Sequence, residues 1–379
     1  MRAAKSKLTP KLVTGILKFF KKEPILTISA LAAAVSCILV PPDAAYLDYI
    51  DFRTLALLYA LMVVVAGLRN AGAFAHLAHL VCVRAKTARG MGMLLVAMTF
   101  FSSMLITNDV ALLTFVPFAV VLLGMTGRQQ DLILVVVLQT VAANLGSMLT
   151  PVGNPQNLYL YSYYGFSAGA FFRVTAPVWA LSLLMTLLLC LLIPRAALHV
   201  EIGEEPGVNR KKLWIYLPLF AVCMLAVFRL IPWPLMLLAV AAALLVFDRK
   251  MLLSADFLLL LTFVAFFIFA GNLARLEAVD LMLRRLLLGR EYLTALLASQ
   301  VISNVPAALL LSGFTDNGRE ILLGVDIGGL GTPIASLASL ISMKLYCRSR
   351  DARAGRYLLT FLLINLLLLL LLSAARRIL

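Results

Sequence analysis

"NLGSMLTPVGNPQNLYLY", Asn144 to Tyr161, sets two prolines, two glycines and four amide side chains between long apolar runs. Proline has no N–H to give a helix, and glycine in a helix interior costs conformational entropy. A helix that enters this stretch therefore has to break within it. The surroundings decide what such a break means. The 379 residues are 63% hydrophobic and only 13% charged, with a mean hydropathy of +1.00, well outside the range of soluble domains. Crossing ~30 Å of hydrocarbon takes about 20 apolar residues per helix, and runs of that kind recur along the chain without the alternation of a barrel. The expected fold is all-α integral membrane, a polytopic helical bundle of roughly 10 to 12 spans, some of them interrupted.

The net charge of +15 does not point to nucleic acid. Its lysines and arginines gather at Lys5–Lys22, Arg84–Arg89, Asn209–Lys212, Asp248–Lys250 and Cys347–Arg356, as they do in cytoplasmic loops. The acidic "PPDAAYLDYIDF" (Pro41–Phe52) falls opposite, so the N-terminus is placed on the cytoplasmic side of a cell membrane of the bacterial inner-membrane kind. Residues 1–23 read as a basic interfacial segment without a cleavage site. Arg284, Arg285 and Arg290 would land outside if every span crossed once, and a re-entrant or interfacial piece there would resolve this.

The chain also repeats itself. "NLGSMLTP" (Asn144–Pro151) aligns with "DIGGLGTP" (Asp326–Pro333) through Gly146/Gly328, Thr150/Thr332 and Pro151/Pro333. Upstream, "ITNDVALL" (Ile106–Leu113) matches "ISNVPAAL" (Ile302–Leu309), and "VAGLRNAG" (Val65–Gly72) matches "FAGNLARL" (Phe269–Leu276). Three landmarks recur in one order. The organisation expected is a first transmembrane repeat at 24–194, a polar linker at 195–212 and a second repeat at 213–379. Repeats of this size are typical of secondary transporters, whose discontinuous helices meet near the bilayer midplane. Irregular backbone at that depth is costly against lipid but useful around a solute or ion.

The breaks name the candidate residues. Ser103, Thr107 and Asn108 stand at i, i+4 and i+5, which puts two hydroxyls on one helix face beside an amide; Ser299, Ser303 and Asn304 repeat the spacing. Such oxygens suit sodium, with Ser103, Asn108, Ser299 and Asn304 as its ligands, or a small oxo-species. The competing reading is that they join helices across the bundle. Asp109, beside a break in an apolar run, is expensive in hydrocarbon and reads as a cation or proton carrier, or else as an ion pair or helix cap. Asp326 stands where the first half has Asn144. Thr150, Gly153, Asn154 and Asn157, with Thr332 and Ser336, complete the set, since helix N-termini after such breaks attract anions without arginine. Arg69 and Arg275 read as residues reaching the interface. His76 and His79 lack further ligands at metal spacing, the five cysteines are scattered, and no P-loop or G-x-S-x-G is present. No cofactor is expected, and an intramembrane aspartyl enzyme built on Asp109 and Asp326 is disfavoured by their nonequivalent places in the repeat.

At these residues the chain resembles the ion transporter superfamily, in its arsenite and citrate permease branch. "TNDVALLTFVP", "ISNVPAALL" and "LLGVDIGGLGTPIASLASL" carry the resemblance. It implies inverted repeats, each with a re-entrant hairpin and a broken helix, a scaffold around a mobile core, and often a homodimer. It is similar as well to sodium/dicarboxylate symporters, whose serine-asparagine hairpin tips bind sodium and substrate. Here Asp109 and Val305 stand where those symporters place threonine, which favours the arsenite-permease side or proton coupling. The expected function is secondary transport of a small anion or metalloid oxo-species, coupled to protons or sodium; the alternative is a sodium/proton antiporter.

Overall fold

The structure is a computed structural model that describes residues 24–82, 85–125, 127–197, 207–349 and 352–378. The segment 1–23 and the middle of the 195–212 linker, with His199, lie outside the described residues. Among the described residues there is no strand, only an isolated bridge between Thr87 and Ala197. The chain opens with α1 (Pro24–Leu39), α2 (Tyr46–Tyr49), α3 (Phe52–Asn70) and α4 (Ala73–Cys82). Next come α5 (Ala88–Ile106), α6 (Asn108–Met125), α7 (Gln129–Ser147), α8 (Pro155–Tyr163) and α9 (Ala168–Leu189). After the linker follow α10 (Arg210–Val227), α11 (Trp233–Phe247), α12 (Phe257–Ala274) and α13 (Glu277–Leu287). The chain closes with α14 (Glu291–Ile302), α15 (Asn304–Leu311), α16 (Gly318–Gly328), α17 (Leu337–Cys347) and α18 (Ala354–Ala375).

Seven of the helices are long and apolar enough to cross a membrane. Their burial differs in a way that locates the core. Eighty-nine per cent of the apolar window of α7 is buried, against 28% for α9, α12 and α18. The last three present leucines outward, as Leu359, Leu363 and Leu370 do, which is stable only against lipid. In contrast, α7 is wrapped by α5, α6, α9, α17 and α18. Around it Leu95, Phe100, Val136, Val141 and Phe361 form one core, while Leu57, Tyr216, Phe263 and Phe314 anchor a second.

The order of elements recurs. Helices α5 to α9 correspond one by one to α14 to α18: two helices joined at a single break residue, a helix, an irregular stretch, a short helix, and a long outer helix. The packing is reciprocal as well, since α6 lies on α17 while α15 lies on α8, and α1 lies on α12 while α11 lies on α3. The correspondence in the second half starts at α11, so α10 is a connecting helix without a counterpart. The boundary expected at residue 213 thus falls inside α10, because proximity to the polar linker, rather than packing, suggested it. The apolar stretches 291–311 and 321–346 are each two helices, divided at Ser303 and at 329–336.

Ion pairs mark the rims. Lys212 donates to Asp248 at 2.9 Å, and this bond, helped by one from Tyr216, holds the Asp248 carboxyl below its ordinary range. At the opposite end Asp43 pairs with Arg275 at 2.8 Å, and Glu320 pairs with Arg376. Arg275 therefore sits at the rim, as its sequence position suggested. Arg284 and Arg285 fall on α13, where Arg284 is held by Asp280 at 2.9 Å. With charge on one face and leucine on another, α13 is amphipathic.

The motif glycines set the hairpin packing. A Cβ on Gly146 would stand 2.1 Å from the Phe100 carbonyl oxygen, and one on Gly328 would stand 2.9 Å from Ser299 Oγ. Both glycines face backbone, Gly328 through Leu296 Cα at 3.0 Å, but the backbone approach to Gly146 is much the closer. Gly146→Ala is expected to destabilise the protein by about 1–3 kcal/mol through overpacking, and Gly328→Ala by less. Thermal unfolding in detergent checks the order; an equal loss in both would refute the backbone argument.

Candidate functional site

Thr107 and Ser303 are the break residues, at φ 68° and 74° with ψ 150° and 155°. This region is essentially reserved for glycine and costs a residue with a Cβ about 1–3 kcal/mol. Two non-glycine residues adopt it at matched positions of the two halves. The expected helix face shared by Ser103 and Thr107, and by Ser299 and Ser303, is therefore not formed: the helix ends one residue before the second hydroxyl. Ser103 Oγ turns back to the Phe100 carbonyl at 2.8 Å and Ser299 Oγ to that of Ala295 at 2.7 Å.

What holds the strained residues is a second correspondence. The N–H of Asn108 donates to the Gly153 carbonyl at 3.0 Å, and the N–H of Asn304 donates to the Ala335 carbonyl at 2.9 Å. The Thr150 hydroxyl donates to the Met104 carbonyl, and the Thr332 hydroxyl to that of Gln300. In each half, then, the hairpin tip is tied to the irregular stretch of the broken helix by one amide and one hydroxyl. The motif threonines are braces, and Gly153 contributes its carbonyl.

The stretch quoted at the outset is closed internally. Asn154 caps α8 by accepting from Asn157 N at 3.0 Å, and its amide donates to Ser147 Oγ at 3.1 Å. The Asn157 amide donates to the Met148 carbonyl at 3.2 Å. In the second half Gln300 does comparable work, donating to the Gly328 and Leu330 carbonyls at 2.7 and 3.0 Å and accepting from Thr332 N at 2.9 Å.

Asn144 joins the halves. Its Oδ1 accepts from Ser336 Oγ at 3.0 Å and from Asn108 Nδ2 at 3.3 Å, and its Nδ2 donates to Ser339 Oγ at 3.3 Å and to the Gly329 carbonyl at 3.5 Å. From the other side, Asp326 faces Asn157, Asn154 and Gln156. A small cavity of about 10 Å³, the size of one water molecule, is lined by Asn108, Asp109, Gln156, Asn304 and Ser336 among others. Four helices, α6, α8, α15 and α17, start at that point, so their positive dipole ends converge there.

Asp109 also lines a larger cavity of about 320 Å³ that runs past Thr107 and Asn154 to Arg69, Asn70, Met251 and Asp256. Arg69 thus lines a vestibule, where the sequence reading favours the interface over a part in the site. Sequence reasoning missed Gln156, Gln300 and Ser339 as site residues. Gln300 was detectable as an amide inside an apolar helix, and Ser339 as the counterpart of Asn157; Gln156 had only its place in the break.

The fold and site together define a multi-pass membrane transporter built on paired hairpins and broken helices. Residues 16–317 match the citrate transporter family, CitMHS. The chain is 33% identical over 302 residues to the inner membrane protein YbiR of Escherichia coli (strain K12), over 78% of this chain and 80% of that protein. It is 32% identical over 312 residues to the uncharacterized transporter MJ0456 of Methanocaldococcus jannaschii, over 82% and 85% of the two chains. A match of 32% over 202 residues to the silicon efflux transporter LSI3 of Oryza sativa subsp. japonica covers 48% of this chain and 40% of that one. The chain belongs to the citrate transporter family, and it is a transporter rather than an enzyme.

The strain at the tips has a direct test. Thr107→Gly and Ser303→Gly are expected to be more stable than Thr107→Ala and Ser303→Ala by about 1 kcal/mol, the strain removed less the added chain entropy. Thermal melts of the four variants decide it, and alanine variants as stable as the glycine ones would show that the φ values are not strained.

Proposed function

We propose that the chain exchanges a small hydroxylated oxo-acid, of the silicic or arsenous type, for protons. The observation that carries this reading is the meeting of four helix N-termini among hydroxyl and amide groups, with Asp109 lining the cavity there and Asp326 facing Gln156, one of its lining residues. Helix N-termini supply partial positive charge, enough for a neutral or singly charged oxo-acid. A citrate trianion would need several full positive charges to offset its desolvation beside two carboxyl groups. Among the described residues, Arg69 and Lys344 line the adjoining cavities and not the tip cavity itself. The silicon efflux relative supports an uncharged, many-hydroxyl solute of this kind.

In this mechanism Asn108 and Asn304 bind from the two tips, Ser336 and Asn144 complete the hydrogen-bonding wall, and Asp109 guards the way from the vestibule. The tip cavity holds about one water, so a solute of several heavy atoms enters only as the tips separate. The basic loops support a cytoplasmic vestibule mouth, near Arg69 and Met251, and a cytoplasmic N-terminus. Sodium/proton antiport is the second reading, because Asp109 and Asp256 face each other across that vestibule.

Proteoliposome flux separates the readings. Silicic acid, arsenite, citrate and sodium are each supplied with and without an imposed proton gradient. The expected result is gradient-dependent flux of silicic acid or arsenite, reduced roughly tenfold by Asn108→Ala and by Asn304→Ala, the loss of one or two site hydrogen bonds. Citrate flux alone overturns the oxo-acid assignment. Proton release driven by sodium alone, abolished in Asp109→Asn, establishes the antiporter instead.

A further inference from the structure

Asn144 and Asp326 each cross from their own half into the break of the other, yet one carries an amide and the other a carboxyl. The seat of Asn144 is complete, with acceptor oxygen and donor nitrogen both bonded. The seat of Asp326 is incomplete. It is 2% exposed, and neither carboxyl oxygen has a hydrogen-bond partner. Beside it two further atoms are unpartnered, Asn157 Oδ1 and Gln156 Nε2. The orientation of Asn157 is set by its Nδ2, which donates to the carbonyls of Met148 and Thr150. Its oxygen is therefore the atom left over, an acceptor in need of a donor.

The first-half break thus offers Asp326 one free acceptor and one free donor. An ionised carboxylate accepts only, so it could serve Gln156 Nε2 but would leave Asn157 Oδ1 without a donor. A carboxylic acid has one O–H and one carbonyl, the same pattern as the Asn144 amide in the equivalent seat. Charge leads to the same choice, since an unpaired buried carboxylate is penalised by several kcal/mol. The elements packed on α16 are α14, α15, α18, α8, α9 and α7. Their ionisable groups with hydrogen-bond or ion-pair partners are engaged away from Asp326, and Arg356 and Tyr163 are exposed. Tyr292 bonds Ser373, Arg376 pairs with Glu320, Glu291 accepts from Gly289, and Tyr159 bonds Ser312. Arg173 donates to the Gly169 carbonyl, Tyr357 bonds Ser342, and Asp131 pairs with Arg128. Asp109 faces Asp256. The groups that face Asp326 are the amides of Asn157, Asn154 and Gln156.

We infer that Asp326 holds a proton in this conformation, donating it to Asn157 Oδ1 while accepting from Gln156 Nε2, and that release and recapture of this proton is the coupling step; the second part rests on the transport proposed above. The step is a proton transfer alone. The O–H bond of the carboxyl breaks as the proton passes to water on one side of the membrane, and it reforms with a proton taken from the other side. The alternative occupant of an ionised Asp326 is a sodium ion shared with Asn157 Oδ1.

Infrared spectra of the purified protein at neutral pH, wild type minus Asp326→Asn, provide the test. Because the neighbouring seat already holds an asparagine, Asp326→Asn is expected to fold and to melt no lower than wild type. The expected difference is a protonated-carboxyl carbonyl band present in wild type and lost in the variant, whereas Asp109→Asn leaves that band in place. In proteoliposomes the ratio of solute flux with and without a proton gradient is expected to fall from several-fold to unity in Asp326→Asn. A folded variant with an unchanged band overturns the inference, as does a variant that fails to fold. A missing band in wild type, with a melting temperature raised by sodium over potassium, assigns the seat to a cation and overturns it too. Should the band be lost on substitution while wild type moves no solute, the protonation stands and the transport reading falls.

Discussion

A backbone amide or carbonyl left unbonded at membrane depth costs several kcal/mol, and the interior of this protein is organised around meeting that demand where helices are broken. Both hairpin tips spend their first free N–H on the irregular stretch of the neighbouring broken helix, Asn108 on Gly153 and Asn304 on Ala335. Each broken helix is braced back through a threonine hydroxyl, Thr150 or Thr332. These bonds hold Thr107 and Ser303 at backbone angles they would not otherwise adopt, and in doing so fix where four helix N-termini point. Relaxing either tip into a continuous helix would restore ordinary backbone geometry and remove the site.

The same requirement explains the distribution of small and polar residues. Gly146 and Gly328 lie where the hairpin helix and the broken helix approach most closely, and Asn144 bridges the halves at the centre of the bundle. The outer helices α9, α12 and α18 face outward with leucine and keep Ser182, Asn272 and Asn365 buried on their inner sides. Polar atoms are concentrated where two copies of one motif meet, which is also where a solute can exchange its hydration for fixed hydrogen bonds. The mismatch between Asn144 and Asp326, like that between Asp109 and Val305, is a point where the two halves stop being chemically equivalent.

Much of the site was legible before any coordinates. Apolar composition excluded a soluble fold, and the matched Gly-x-x-x-Thr-Pro and Asn-bearing breaks pointed to residues that do converge: Asn108, Asn144, Asn154, Asn304, Asp326 and Ser336. The roles were less legible than the positions. Ser103 and Ser299 bond to their own helices, and Thr150 and Thr332 brace backbone, whereas the spacing suggested ligands. Gln300 carries four bonds of the second break and left no mark beyond being polar in an apolar run.

By itself the sequence determined the solvent, the helical class, the recurrence of three landmarks and the places where helices must stop, because hydropathy and the backbone limits of proline and glycine act locally. Only the tertiary structure decided that α10 stands outside the repeat, that α6 meets α17 as α15 meets α8, and that Asp326 faces three amides from the other half. Those facts depend on contacts between residues far apart in the chain, such as the 185 positions between Asn144 and Gly329. No local propensity encodes which buried donor will find which acceptor; that follows from packing two diverged copies of one unit against each other with as few polar atoms as possible left unbonded.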